Sequence, residues 1–474
     1  MEQFLTTLDS ANRAVNNFVW GPPMLILLLG AGVYLTLRTR FFQLSRMGLW
    51  FKSTLFALFC NKEVRDGSDP GSISQFQSFT TALAGTMGTG NIVGVATALT
   101  AGGPGAIFWM WVSALFGMMT KYAEIVLGIL FRRRGKNGQW KGGPMSYLEK
   151  GLHCKPLAVL FAFFASLASF GIGNMTQGNG IADAIHRSFP VIPKWAVAVA
   201  VMALTTLCIL GGIKRIAKVT EGLIPLMTVL YLAGSLAILV LHFRLIPAAL
   251  GLILRDAFSL QSVGGGVGGY AVLRAIRYGT ARGVFSNEAG LGSSVIVHSA
   301  AQVKEPVIQG MWGIFEVFAD TIVSCTLTAL CILTTGVLST GLTGAPLAMA
   351  AFSRVFGSWG ELFITISITL FAFSTILGWS YYGEQTVEYL LGPRAIPGYK
   401  LLYILLAGVG CVASLELVWD ISDTMNGLMA LPNLIGVLGL SGMVVRATKD
   451  FLSRRDKGQY RELARTYRDF IKKR

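Results

Sequence analysis

The sequence predicts an all-α integral membrane protein with eleven transmembrane helices. One peripheral N-terminal helix precedes two five-helix halves, each containing a broken helix. Three observations lead there. Of the 474 residues, 53% are hydrophobic and only 14% charged, against about 25% charged in a soluble domain. Mean hydropathy is +0.59. Apolar runs long enough for a helix to cross about 30 Å of hydrocarbon recur along the whole chain, and the basic residues gather in alternate connections between them.

The crossings are read at 19–37, 74–101, 104–131, 156–185, 194–213, 220–243, 251–279, 306–336, 359–391, 401–418 and 424–446. The first, third and tenth are plain apolar helices, while the second, fourth, seventh and ninth carry polar or Gly-rich interruptions. Connections on one side hold 32 of the 40 Lys and Arg residues and those on the other hold 6. By the positive-inside rule the N-terminus is outside and the C-terminus in the cytoplasm. The same placement explains the net charge of +16 without nucleic acid. Phe41 to Phe59 mixes Phe, Leu and Trp with Arg46 and Lys52, the pattern of an amphipathic helix on the cytoplasmic interface. Beyond Lys449 the tail is helical in pattern and charged on most faces, facing water or lipid headgroups.

With the first crossing set aside, ten remain in two groups of five. An odd number per group turns the halves upside down relative to one another. The divisions are 1–73 (peripheral and interfacial helices), 74–243 and 251–446 (the two repeats), and 447–474 (the basic tail). The N-terminus lacks the basic start of a signal peptide and is read as part of the mature chain.

Gly85-Thr86-Met87-Gly88-Thr89-Gly90-Asn91 lies in a stretch without charge from Pro70 to Thr120. Each Gly costs about 1 kcal/mol relative to Ala inside a helix, so a break is expected here, mid-crossing. In lipid, broken backbone survives only inside protein or beside a water-filled cavity. Its amides suit a carboxylate and its carbonyls a small cation; close helix packing is the alternative use of such glycines. Gly264 to Gly269 is expected to break the seventh crossing at the matching place, and paired breaks point to a transporter site.

Other polar residues fall at mid-depth. In the fourth crossing, Gln177 can donate to and accept from a zwitterion, or bond between helices, as is favoured for Asn174. In the ninth, Ser374 and Thr375 offer hard oxygens for an alkali cation, or bond back to their own helix, and Trp379 could wall a small pocket. Glu316 and Asp320, at i and i+4, share a helix face. They are read either as a proton relay or as a gate latch paired with a cation such as Lys121 or Arg274, with Glu124 equally ambiguous. The six cysteines and four histidines form no ligand or redox motif, and no nucleophile, zinc or phosphate motif appears. The chain is expected not to be an enzyme.

Four ordered motifs resemble the alanine/glycine:cation symporter family over nearly the whole length. They are Gly85 to Val95, Lys141-Gly142-Gly143-Pro144-Met145, Arg282 to Ser293, and Glu316-Val317-Phe318-Ala319-Asp320-Thr321. The resemblance implies a LeuT-type fold of five plus five inverted helices, and sodium-coupled uptake of small neutral amino acids, alanine and glycine first. It implies a multi-pass protein of a prokaryotic cytoplasmic membrane, with sodium, the amino acid and lipids as its partners and no obligate protein partner. It places sodium among the carbonyls of Ala84, Met87 and Ala372 with Ser374 and Thr375. The substrate carboxylate falls at the amides of Gly88 and Gly90, with Thr86, Thr89 and Asn91 close by and Gln177, Val267 and Trp379 at contact positions. The family tends to carry an aromatic where Val267 aligns, which implies a roomier pocket here. The motif around Asn287 is read, with Glu316 and Asp320, as a gating or structural element on the cytoplasmic side. Coupling to protons, and a sensor that binds amino acids without moving them, are the alternatives.

Overall fold

The computed structural model describes residues 2–135, 138–258, 267–413 and 416–456. The helices are α1 (Glu2–Val19), α2 (Pro22–Arg38), α3 (Gln75–Thr86), α4 (Val93–Gly102), α5 (Gly105–Phe131), α6 (Lys155–Phe170), α7 (Thr176–Ser188), α8 (Lys194–Ile209) and α9 (Gly212–Leu241). There follow α10 (Ile246–Ala257), α11 (Val267–Asn287), α12 (Pro306–Val317), α13 (Thr326–Thr335), α14 (Gly344–Phe356), α15 (Ser358–Leu391), α16 (Ile396–Val412), α17 (Glu416–Gly439) and α18 (Ser441–Asp456). Single π-helical segments, Gly171–Met175 and Phe318–Cys325, join α6 to α7 and α12 to α13.

Among the described residues, seven helical spans are long and apolar enough to cross a membrane, or eight if α17 and α18, bent by 55°, count as one. The difference from eleven has local causes. The second crossing is divided, the fifth is the short α8, and the seventh does not run over 251–279. That window splits between α10 and α11, and α11 carries Arg274, Arg277 and Arg282, which lower its hydropathy. The interfacial stretch is likewise not one helix. It turns at Arg40 and Phe41, both with positive φ, into the short helices Phe42–Ser45, Met47–Ser53 and Ala57–Cys60. Phe42 and Trp50 are buried there while Phe56 and Phe59 face out. The ninth crossing, expected to be interrupted, is the continuous α15. Beyond Asp456 the tail lies outside the described residues.

Local chemistry sets the ends of the broken helix. Ser74 and Gln77 form a reciprocal capping box at the start of α3. At the other end Gly103, with φ +77°, closes α4. Of the long apolar spans among the described residues the most buried is α5, against which α11 and α12 pack. Small residues allow that approach: a Cβ on Gly279 would lie 2.2 Å from the Ala106 carbonyl oxygen, and one on Gly283 would lie 2.5 Å from Ser113 Oγ.

Candidate functional site

The backbone leaves the helix after Thr86. Met87 and Gly88 are non-helical, Thr89–Asn91 make one 3-10 turn, and α4 resumes at Val93. Every residue from 78 to 92 is buried. The loosened backbone therefore sits inside protein, the condition for its survival at membrane depth. Gly85 lets α3 lie against α15, since a Cβ there would stand 2.8 Å from the Tyr382 hydroxyl.

A second break faces it. Gly264, Gly265 and Gly266 lie outside the described residues, and residues 267–269 already open α11. The side chain of Val267 also lies outside the described residues. Among the described residues the chain unwinds after Asn287, where Glu288 (φ 55°), Gly290 (φ 93°) and Gly292 (φ 79°) all have left-handed backbone, before a short helical turn Val295–His298. Residues 286–301 are buried throughout. The stretch read as a cytoplasmic gate thus flanks the same cavity as the first break, because Phe285 and Glu288 line it with Gly88 and Gly90.

Between the breaks lies a cavity of about 20 Å³, room for about one water molecule. Gly85, Thr86, Gly88 and Gly90 form one wall, Phe285 and Glu288 another, and Ile172, Gln177, Thr375, Trp379 and Asn426 complete it. The π segment serves this site. It leaves the Ile172 carbonyl to accept from the Thr176 hydroxyl at 2.8 Å and from Gln177 Nε2 at 3.0 Å. Thus held, Gln177 turns its Oε1 to the amide of Thr89, 3.3 Å away. Asn174 instead donates to the Tyr403 carbonyl, between helices.

Of the residues expected around sodium, Thr375 donates its hydroxyl to the Ala84 carbonyl at 2.9 Å and to Phe371 O at 3.1 Å. The Ser374 hydroxyl bonds back to Phe371 O. Met87 and Ala372 are fully buried. Of the residues expected around substrate, Asn91 is turned away from the cavity. Its Nδ2 donates to Asp320 Oδ1 at 2.7 Å, and its carbonyl accepts from Thr328. The hydroxyls of Ser286 and Thr321 donate to the other Asp320 oxygen.

Glu316 and Asp320 are both fully buried but serve different partners. Glu316 Oε1 lies 3.1 Å from Lys121 Nζ and its Oε2 lies 3.0 Å from His298 Nε2. The same Lys121 ammonium donates to the Asn287 carbonyl at 2.9 Å, a cation capping the C-terminus of α11. Asn287 uses its side chain locally, accepting from the Ala289 amide and donating to Thr321. Glu124 accepts from Asn433, which also donates to the Gly290 carbonyl.

Comparison with known proteins decides the family. Residues 5–465 match the sodium:alanine symporter family. The chain belongs to that family. It is 48% identical to the sodium/alanine symporter AgcS of Methanococcus maripaludis over 93% of this chain and 96% of that one. It is 36% identical to the probable sodium/glutamine symporter GlnT of Bacillus subtilis over 94% and 91%. Among solved structures it resembles MhsT in complex with L-phenylalanine, with a TM-score of 0.57 and 14% identity over 80% of this chain and 98% of that one. The fold of this family member is accordingly LeuT-type, and the protein is a multi-pass membrane transporter.

Sequence reasoning missed Ile172, Phe285, Glu288 and Asn426 as cavity walls. A signal for Glu288 was present in Glu288-Ala289-Gly290-Leu291-Gly292, which repeats the closely spaced glycines of the first break.

Proposed function

We propose that this chain imports small neutral amino acids, alanine and glycine, together with sodium, by alternating access across the cytoplasmic membrane. The observation that carries the reading is the meeting of two helix breaks around one buried cavity, with Thr375 bridging to the first. Sodium is placed among the carbonyls of Ala84, Met87 and Ala372 and the hydroxyls of Ser374 and Thr375. The substrate carboxylate is placed at the Gly88 and Gly90 amides, with Thr86, Thr89, Gln177 and Trp379 around it. Asn91 and Asp320 then brace the break from behind.

In this scheme sodium ties α3 to α15 and so shapes the carboxylate pocket. Binding of one gradient's ion is thereby linked to binding of the other solute. The walls formed by Ile172, Phe285 and Trp379 favour a short side chain. The halves 74–243 and 251–446 would rock about this site, with the N-terminus outside and the C-terminus in the cytoplasm. Glu316, with Lys121 and His298, acts as a structural latch in this reading and relays no proton.

The test is counterflow in proteoliposomes with a panel of D- and L-amino acids, with and without sodium. Labelled alanine should exchange against alanine and glycine only when sodium is present. Exchange that ignores sodium and follows a pH gradient would replace this reading with proton coupling. Alanine binding without any flux would make the protein a sensor.

A further inference from the structure

We propose that Glu288 is the group that recognises the ammonium of the transported amino acid. The proposal rests on the amino-acid reading of the central cavity and adds its missing charge. Glu288 lines that cavity and is 3% exposed. Both of its oxygens are held by neutral donors. Trp379 Nε1–H donates to Oε1 at 2.9 Å, and the Ser293 hydroxyl donates to Oε2. A carboxylate fixed by two donors is set up to accept, and it is oriented toward whatever enters the cavity.

No direct ion pair fixes its charge, and Lys121 acts on it only at longer range. Among the described residues no Lys, Arg or His nitrogen forms an ion pair with Glu288, whereas Lys121 is engaged by Glu316 at 3.1 Å and by the Asn287 carbonyl. A buried carboxylate without a direct ion-pair partner is costly at membrane depth, and such groups mark ion or substrate paths. Glu288 is also one of four non-Gly residues with positive φ among the described residues, a strained backbone of the kind held at functional positions. Across the cavity stand Gly88 and Gly90 on the loosened backbone, where the Gly88 amide donates to the Thr86 carbonyl at 2.9 Å and would have to exchange that bond for one to an anion. The two walls therefore have the polarity of a zwitterion, negative at the second break and dipolar at the first.

The experiment measures displacement of labelled alanine from the purified full-length chain at saturating sodium. The competitors are alanine and propionate, which lacks the ammonium. In the wild type, propionate should compete at least about 100-fold more weakly than alanine, the size of a lost buried charge pair. In E288Q, alanine affinity should fall by a similar factor, the gap to propionate should shrink, and half-saturation by sodium should change less than about threefold. E288D, which keeps the charge on a shorter arm, should recover part of the discrimination. The proposal is overturned if propionate competes in the wild type within about threefold of alanine. It is equally overturned if E288Q binds alanine normally but needs far more sodium, which would make the carboxylate a sodium ligand. Should E288Q not fold, the wild-type competition and E288D decide. Failure of the wild type to bind alanine at all would instead remove the amino-acid reading beneath it.

Discussion

The hydroxyl of Thr375 donates to the carbonyl of Ala84 across 2.9 Å, so the middle of α15 holds the last turn of α3 where the chain leaves the helix. Two elements far apart in sequence meet through one side chain. That is where an ion bound between them would have its largest leverage on the break.

Thr375→Ala should therefore raise the sodium concentration that half-saturates alanine uptake by about tenfold, equivalent to about 1.4 kcal/mol of lost ion binding. Thr375→Ser keeps the oxygen and should stay near the wild-type value. Uptake assayed against a sodium series in proteoliposomes measures both. An unchanged sodium dependence in the alanine variant would remove Thr375 from the ion site.

Glycines at the first break are not equivalent. A Cβ on Gly88 would stand 2.5 Å from Thr375 Oγ1 and 3.2 Å from Gln177 Oε1, whereas one on Gly90 would come no nearer than 3.4 Å to Phe285 Cδ1. Gly88→Ala should lower alanine affinity by at least about tenfold, and Gly90→Ala by less than about threefold. Equilibrium binding on the purified variants separates them. Equal losses would show that the backbone at both positions, and not local space, governs the site.

How much of this was legible in the sequence depended on the range of the signal. The first break could be read from Gly85, Gly88 and Gly90 alone because helix propensity is local. A second was sought at Gly264 to Gly269, where glycine is densest and where Gly264 to Gly266 lie outside the described residues; the described chain unwinds at Glu288, Gly290 and Gly292, which was not anticipated. Density of glycine marks freedom to break, whereas the break at Glu288 is held by long-range hydrogen bonds from Lys121 to the Asn287 carbonyl and from Asn433 to the Gly290 carbonyl. The i, i+4 spacing of Glu316 and Asp320 suggested a shared role, but the π segment beginning at Phe318 accompanies two separate sets of partners. No pattern in the sequence encodes that register change.

Glu316→Gln should leave the sodium requirement of uptake intact, because Glu316 pairs with Lys121 and His298 and does not line the cavity. It should cost about 3–5 kcal/mol of stability by leaving a buried ammonium without its anion. Thermal denaturation in detergent would register the loss, and Lys121→Met in the same chain should restore part of it. A variant of normal stability whose uptake no longer depends on sodium would place Glu316 in the coupling path and discard the latch.

One end of the broken helices is sealed by backbone. Ile73 pairs with Ala301 as an isolated parallel bridge, and the Arg132 guanidinium donates to the carbonyls of Ser299, Ala301 and Val303 at 3.2, 2.6 and 2.6 Å. The backbone bridge thus closes the segment after the second break onto the start of the first broken helix, and the Arg132 side chain ties that segment to the end of α5. Hydrogen bonds from a charged donor are worth about 1.5–3 kcal/mol each, so Arg132→Gln should shift the equilibrium toward conformations open at this end. Ile73→Cys provides a reporter there, since Ile73 is 2% exposed and its bridge uses only backbone atoms. In a chain whose native cysteines are replaced by serine, a thiol reagent should modify this reporter at least about tenfold faster when Arg132 is Gln. Added sodium and alanine should slow the reaction by favouring the closed form. Equal labelling rates with Arg132 and with Gln would mean that the seal is held by packing around Ile73, and that the three carbonyl bonds contribute little to gating.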